Sequence, residues 1–89
     1  MRSKIELTFY TKPNCPLCEE AEELLEEMKA LESIVVRKID ITKDIMIYEK
    51  YKHRIPVIKF SQGLELSGRI ERGELRSRIH QVQKGGKQS

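Results

Sequence analysis

The chain has 89 residues, a formal net charge of +3 at pH 7 and two cysteines. That describes one small domain with a single modest core, and it excludes a disulfide-rich scaffold. The N-terminus carries no long apolar stretch, so neither a signal peptide nor a membrane span is indicated, and the expected location is the cytoplasm.

Lys4 to Tyr10 alternates, with Ile5, Leu7 and Phe9 on one face, and predicts a first strand. Thr11-Lys12-Pro13-Asn14 predicts a turn, with Asn14 a candidate N-cap for the following helix. Cys15-Pro16-Leu17-Cys18 comes next, and Pro16 suits a first helical turn. Glu19 to Met28 is rich in Glu, Leu and Ala and predicts helix. Cys18, Ala21, Leu25 and Met28 recur at helical spacing, which turns Cys18 towards the core and leaves Cys15 at the exposed helix start.

That placement carries a chemistry. Unpaired N–H groups and the positive end of the helix dipole favour a thiolate, the species that attacks a disulfide sulfur. A second thiol one turn later can resolve the resulting mixed disulfide. Cys15 is therefore the candidate nucleophile and Cys18 the candidate resolving thiol. Glu19, Glu20, Glu22 and Glu23 lie close to the helix start and oppose a thiolate there. The spacing also admits half of a zinc site, for which only His53 and His80 offer nitrogen, or an inert core cysteine. Glu19 after Cys18 excludes haem attachment, which needs histidine there.

Beyond a break at Ser33, Ile34 to Ile41 is β-branched and predicts a second strand. Thr42 is a candidate N-cap for a short helix from Lys43 to about Tyr51, with Ile45, Tyr48 and Tyr51 as expected buried contacts. Lys52 to Phe60 predicts a third strand, with Pro56 heading its apolar run. A turn at Ser61-Gln62-Gly63 returns the chain through Leu64-Glu65-Leu66, a hairpin closed by Ser67-Gly68. Gly73 to Gln83 predicts a last helix that buries Leu75, Ile79 and Val82. The expected domain is residues 1–84, and residues 85–89 are expected as a flexible tail.

Residues 1–49 hold 7 Lys and Arg against 11 Asp and Glu, and residues 50–89 hold 10 against 3. The basic residues are scattered and form no nucleic-acid recognition motif, so a solvated helix face is expected and no nucleic-acid partner. The order β-α-β-α-β-β-α predicts an α/β fold, a four-stranded mixed sheet with three helices packed on it.

Tyr10-Thr11-Lys12-Pro13-Asn14-Cys15-Pro16-Leu17-Cys18, followed some forty residues later by Arg54-Ile55-Pro56-Val57-Ile58, resembles the glutaredoxin-like family of small thioredoxin-fold proteins. The resemblance covers about residues 4–83 and implies a thioredoxin-like, glutaredoxin-type fold. It implies a thiol-disulfide oxidoreductase in which Cys15 and Cys18 are the catalytic pair. Pro56 matches the family's cis-proline, Ile55 the residue whose backbone pairs with substrate, and Lys12 a basic residue that meets a glutathione carboxylate. Pro16, Leu17 and Gly68 complete the implied substrate-binding set. The implied partners are a disulfide-containing protein or a glutathione mixed disulfide, with glutathione or a reductase as electron donor. The expected protein is a monomer with no tightly bound cofactor and no resident metal; an iron–sulfur or metal-binding module and a non-catalytic adaptor are the alternative readings. Three departures from the family pattern stand out. Leu17 replaces an aromatic residue, Arg54-Ile55-Pro56 replaces Thr-Val-Pro, and Ser67-Gly68-Arg69-Ile70-Glu71 replaces the paired glycines and acid that hold glutathione.

Overall fold

A computed structural model describes residues 4–86, with side chains described through residue 83. The strands are β1 (Ile5–Thr11), β2 (Ile34–Asp40), β3 (Val57–Phe60) and β4 (Glu65–Ser67). The helices are α1 (Pro16–Leu31), α2 (Ile45–Tyr51) and α3 (Arg72–Gly86), with a 3-10 turn at Ile41–Lys43. The sheet order is β2-β1-β3-β4. β1 and β2 are parallel, which requires a crossover, and α1 supplies it. β3 runs antiparallel to both β1 and β4. The expected mixed sheet with three helices is the fold found.

Alternation along β1 divides the molecule into two cores. Ile5, Leu7 and Phe9 turn to one face and pack with Ala21, Leu25 and Met28 of α1 and with Leu75, Ile79 and Val82 of α3. On the opposite face, Tyr10 joins Ile41, Tyr51 and Val57 in a smaller cluster that Ile47, Tyr48 and Ile55 border. The register explains the split. Phe9 pairs with Ile58, which is in the main core, and Tyr10 pairs with Val57, which is in the small one.

Several boundaries differ from the sequence reading, each for a local reason. α1 begins at Pro16, and its N-cap is Cys15 in place of Asn14. Asn14 has φ +59°, the left-handed conformation that asparagine tolerates, and serves the turn before the cap. The α2 cap is Asp44, whose carboxylate accepts the N–H groups of Met46 and Ile47. Thr42 is held by Asp40, whose Oδ1 accepts both its N–H and its hydroxyl and is thereby kept below the ordinary aspartate pKa. The later start of α2 turns Ile45 outwards, where it is 69% exposed, and Ile41 takes the buried position instead. β3 starts only at Val57, because residues 52–54 form a turn off the end of α2. α3 continues through Gly86, so residues 85 and 86, expected in the tail, are helical in backbone. The rest of the expected tail, 87–89, lies outside the described residues.

The uneven charge is used internally. Glu20 and Glu27 lie on α1 and Glu32 caps its end, and Arg69, Arg72, Arg76 and His80 face them from α3 and the loop before it. Most of these pairs are well exposed and individually weak. Glu32 is the exception, with only 9% of its side chain exposed, 2.9 Å from His80 Nε2 and 3.5 Å from Arg76 Nε. The hydrogen bond with His80 lowers the Glu32 pKa from its ordinary value, against the upward push of burial, and the charge of Arg76 lowers it further. A depressed carboxylate stabilises the fold above the unfolded-state pKa, and that contribution is lost as pH falls through the folded value. Glu32→Gln should therefore cost roughly 1 kcal/mol at neutral pH. The difference from wild type should shrink between neutral pH and acid below the folded-state pKa of Glu32. Urea denaturation at the two pH values checks this; a cost that persists in acid would contradict it.

Candidate functional site

The site lies where β1 and β2 end. β1 leaves the sheet at Thr11, and three exposed residues, Lys12, Pro13 and Asn14, lead directly to Cys15. Cys15 has extended backbone angles, φ −127° and ψ 101°, and its Sγ accepts the N–H of Cys18 at 3.2 Å. The sulfur thus occupies the position in which a serine or aspartate side chain commonly caps a helix. Pro16 fills the first helical position, where its missing N–H costs nothing. Cys18 lies one turn into α1 and is 2% exposed, whereas Cys15 is half-buried. The two are joined as a disulfide with Cα atoms 5.2 Å apart, inside the ordinary range for such bridges.

The second side of the site comes from the loop between α2 and β3. The Ile55-Pro56 peptide is cis, and Pro56 is fully buried. Val57 pairs with Tyr10, so the register carries Pro56 across from Thr11, at the end of the sheet from which Cys15 departs. Gly68 closes the third side. Its N–H is shared between the carbonyls of Pro56 at 3.0 Å and Arg54 at 3.3 Å, which ties the end of β4 to the proline loop. Arg54 also forms an ion pair with Glu65 on β4. Arg69, next to Gly68, reaches Glu20 of α1 at 3.8 Å.

These contacts bring Arg54, Pro56 and Gly68 into one hydrogen-bonded unit, and the register sets it beside the segment that leads to the cysteines. Lys12 is exposed at the end of β1, Pro16 is exposed, and Leu17 is half-buried at the start of α1. Ile55 is half-buried, and its N–H donates to the carbonyl of Tyr51 at 3.1 Å. The Ile55 backbone, expected to pair with substrate, thus has its N–H engaged within the chain. The donor is engaged within the chain because α2 ends four residues earlier and its last carbonyls need partners.

Sequence reasoning missed the support beneath this loop. The rings of Tyr10 and Tyr51 stack with centroids 4.1 Å apart and planes 20° from parallel. Burial first, and then the hydrogen bond with Tyr51, raise the Tyr10 pKa above its ordinary value, so its hydroxyl keeps its proton at neutral pH. The Arg54 guanidinium lies 5.3 Å from the Tyr51 ring centroid. A helical period marks Tyr51 as buried, but only the pairing of Tyr10 with Val57 sets the two tyrosines together.

A four-stranded mixed sheet with a Cys-x-x-Cys pair at its first helix and an X-Pro loop opposite defines a thioredoxin-fold protein. Solved structures agree. A mutant thioredoxin from Halobacterium salinarum NRC-1 superimposes with a TM-score of 0.76 at 19% identity, over 91% of this chain and 76% of its own. The structural-genomics target XcR50 from X. campestris gives a TM-score of 0.73 at 28% identity, over 83% of this chain and 95% of its own. A curated glutaredoxin-like protein of Dictyostelium discoideum is 30% identical over 77 residues, covering 80% of this chain and 71% of the relative. The model of the glutaredoxin-like domain (DUF836) matches residues 6–80, and the chain belongs to that family. Among the described residues no helix is long and apolar enough to cross a membrane.

Gly68 has φ +72°, with nothing within 4 Å of where a Cβ would stand. Its substitution is therefore limited by backbone conformation and not by space. Gly68→Ala should destabilise the fold by about 1–2 kcal/mol, and Gly68→Asn by less, because asparagine tolerates the left-handed region. Chemical denaturation of the two variants measures the difference, and an alanine variant as stable as wild type would contradict it.

Proposed function

We propose that this chain is a thiol-disulfide oxidoreductase in which Cys15 attacks and Cys18 resolves. The observation that carries the reading is the N-cap position of Cys15: its sulfur accepts the Cys18 N–H at the start of a helix that buries Cys18. An N–H donor and the helix dipole both favour the anionic sulfur over the thiol. Membership of the glutaredoxin-like family supports the same chemistry.

In the reduced chain, the Cys15 thiolate attacks one sulfur of a disulfide substrate. The S–S bond of the substrate breaks, and the departing thiolate takes a proton from solvent. The Cys18 thiol then loses its proton and attacks Cys15 Sγ, releasing the second substrate thiol and leaving Cys15 and Cys18 oxidised. Two electrons have passed to the substrate. An external thiol reductant, glutathione or a reductase, restores the pair by the same exchange in reverse. Lys12, Pro16, Leu17, Ile55, Pro56 and Gly68 form the surface that receives the substrate. The substrate class is a protein disulfide or a glutathione mixed disulfide, and no tightly bound cofactor takes part. We also propose that the protein acts as a monomer in the cytoplasm, without nucleic acid or membrane.

Cys15→Ser should abolish reduction of a disulfide substrate. Cys18→Ser should still be attacked but not resolved, leaving a mixed disulfide on Cys15 that intact-mass spectrometry detects. Dithiol turnover by Cys15→Ser, or an adduct that maps to Cys18 in the wild-type chain, would reverse the assignment.

A further inference from the structure

Ile45 and Met46 stand in solvent at the start of α2, 69% and 78% exposed. The other large apolar side chains left exposed among the described residues, Leu31 and Val35, lie at the far end of the sheet, where α1 finishes and β2 begins. Ile45 and Met46 lie at the end that carries the cysteines. β1 and β2 are parallel and finish in register, with Thr11 opposite Asp40. The chain therefore leaves one strand towards Cys15 and the neighbouring strand towards α2. That helix turns Ile47, Tyr48 and Tyr51 to the small cluster, and its period leaves Ile45, Met46, Glu49 and Lys50 outside.

The charges around this apolar pair are unequally committed. Asp40 accepts the N–H and hydroxyl of Thr42, and Asp44 accepts the N–H groups of Met46 and Ile47. Glu49 pairs with Lys52 at 2.8 Å, and Glu65 pairs with Arg54. Lys12 and Lys43 are exposed, and among the described residues neither forms an ion pair. Lys50 meets no carboxylate among them either, and lies 5.4 Å from the Tyr51 ring centroid. The carboxylates at this end have internal partners, and three lysines are left for a partner from outside.

We propose that Ile45 and Met46, rimmed by Lys12, Lys43 and Lys50, form a docking surface for a disulfide-bearing protein with an acidic rim and an apolar centre. An apolar centre within a polar rim is the ordinary anatomy of such contacts, and methionine adapts to varied partners. Two side chains and three lysines are too small a surface for a stable complex, so the contact is transient and charge governs its rate. A second copy of this chain fits poorly, because a two-fold contact would set the same three lysines against each other. The proposal rests on the dithiol reading above and goes further by naming the surface chemistry of the preferred substrate.

The test follows oxidation of the pre-reduced full chain by three disulfides. Two are peptides of equal length closed by one internal disulfide, one flanked by leucines and acidic residues, the other with lysine in place of each acid. The third is bis(hydroxyethyl) disulfide, which is small and uncharged. At low salt the acidic peptide should oxidise the wild-type chain about tenfold faster than the basic one. That advantage should disappear in about 1 M salt, where charges are screened beyond roughly 3 Å. Replacing Ile45 and Met46 together by serine should slow the acidic peptide about fivefold and leave the small disulfide unchanged. Lys43→Glu, a second exposed change, should erase the preference between the peptides, again without effect on the small disulfide. Equal rates with the two peptides, or a serine variant that slows all three disulfides alike or none, would overturn the proposal. A wild-type dimer in sedimentation that the serine variant lacks would give the surface to self-association and overturn it too. A wild-type chain that none of the three oxidises would instead remove the dithiol reading, and the proposal with it.

Discussion

The hydrogen bond from the Cys18 N–H to Cys15 Sγ is the contact on which the site depends. A helix start leaves backbone donors without intrahelical partners, and here one of them is met by a sulfur. The arrangement needs the chain to leave β1, reverse and enter α1 within four residues. Asn14 in the left-handed conformation makes that turn, and Pro16 begins the helix with a residue that has no donor to satisfy. Changing the cap to an ordinary serine would keep the helix start and remove the sulfur on which the proposed exchange depends. The same few residues thus end a strand, start a helix and present a sulfur.

Around that contact the fold separates two tasks. The face of the sheet that packs α1 and α3 holds the helix that bears the cysteine pair, and Cys18 on that helix is buried. The opposite face carries a smaller cluster under α2, which supports the proline loop. Gly68 joins the loop to β4, and the ion pairs between α1 and the α3 side brace the helix that bears the cysteines. The acidic first half and the basic second half of the chain are complementary surfaces of one domain. Part of the charge imbalance in the sequence thus finds its partners inside the molecule.

Much of this was legible in the sequence, and the limits have physical causes. The period of α1 identified Cys18, Ala21, Leu25 and Met28 as buried, because side-chain phase along a long amphipathic helix is a local property. Leu75, Ile79 and Val82 were readable in α3 for the same reason. The caps were less so: asparagine, threonine, aspartate and a cysteine all stood near helix starts, and the choice among them depends on where the turn falls. Ile45 was misplaced because a two-residue shift in the start of a short helix changes which side chains face inwards. The Tyr10–Tyr51 stack was not readable, since it follows from the pairing of β1 with β3 and not from any local pattern, and the engaged Ile55 N–H depends on where α2 ends.

The central claim is that the start of α1 makes Cys15 the reactive thiol. The most direct measurement is the pH dependence of alkylation in the reduced chain, with each cysteine followed separately by peptide mass spectrometry. Cys15 should react first and with a midpoint below the free-thiol value of about 8.5, because an N-cap sulfur is stabilised as the anion. A Cys15 midpoint at or above that value, or faster alkylation of Cys18, would contradict it.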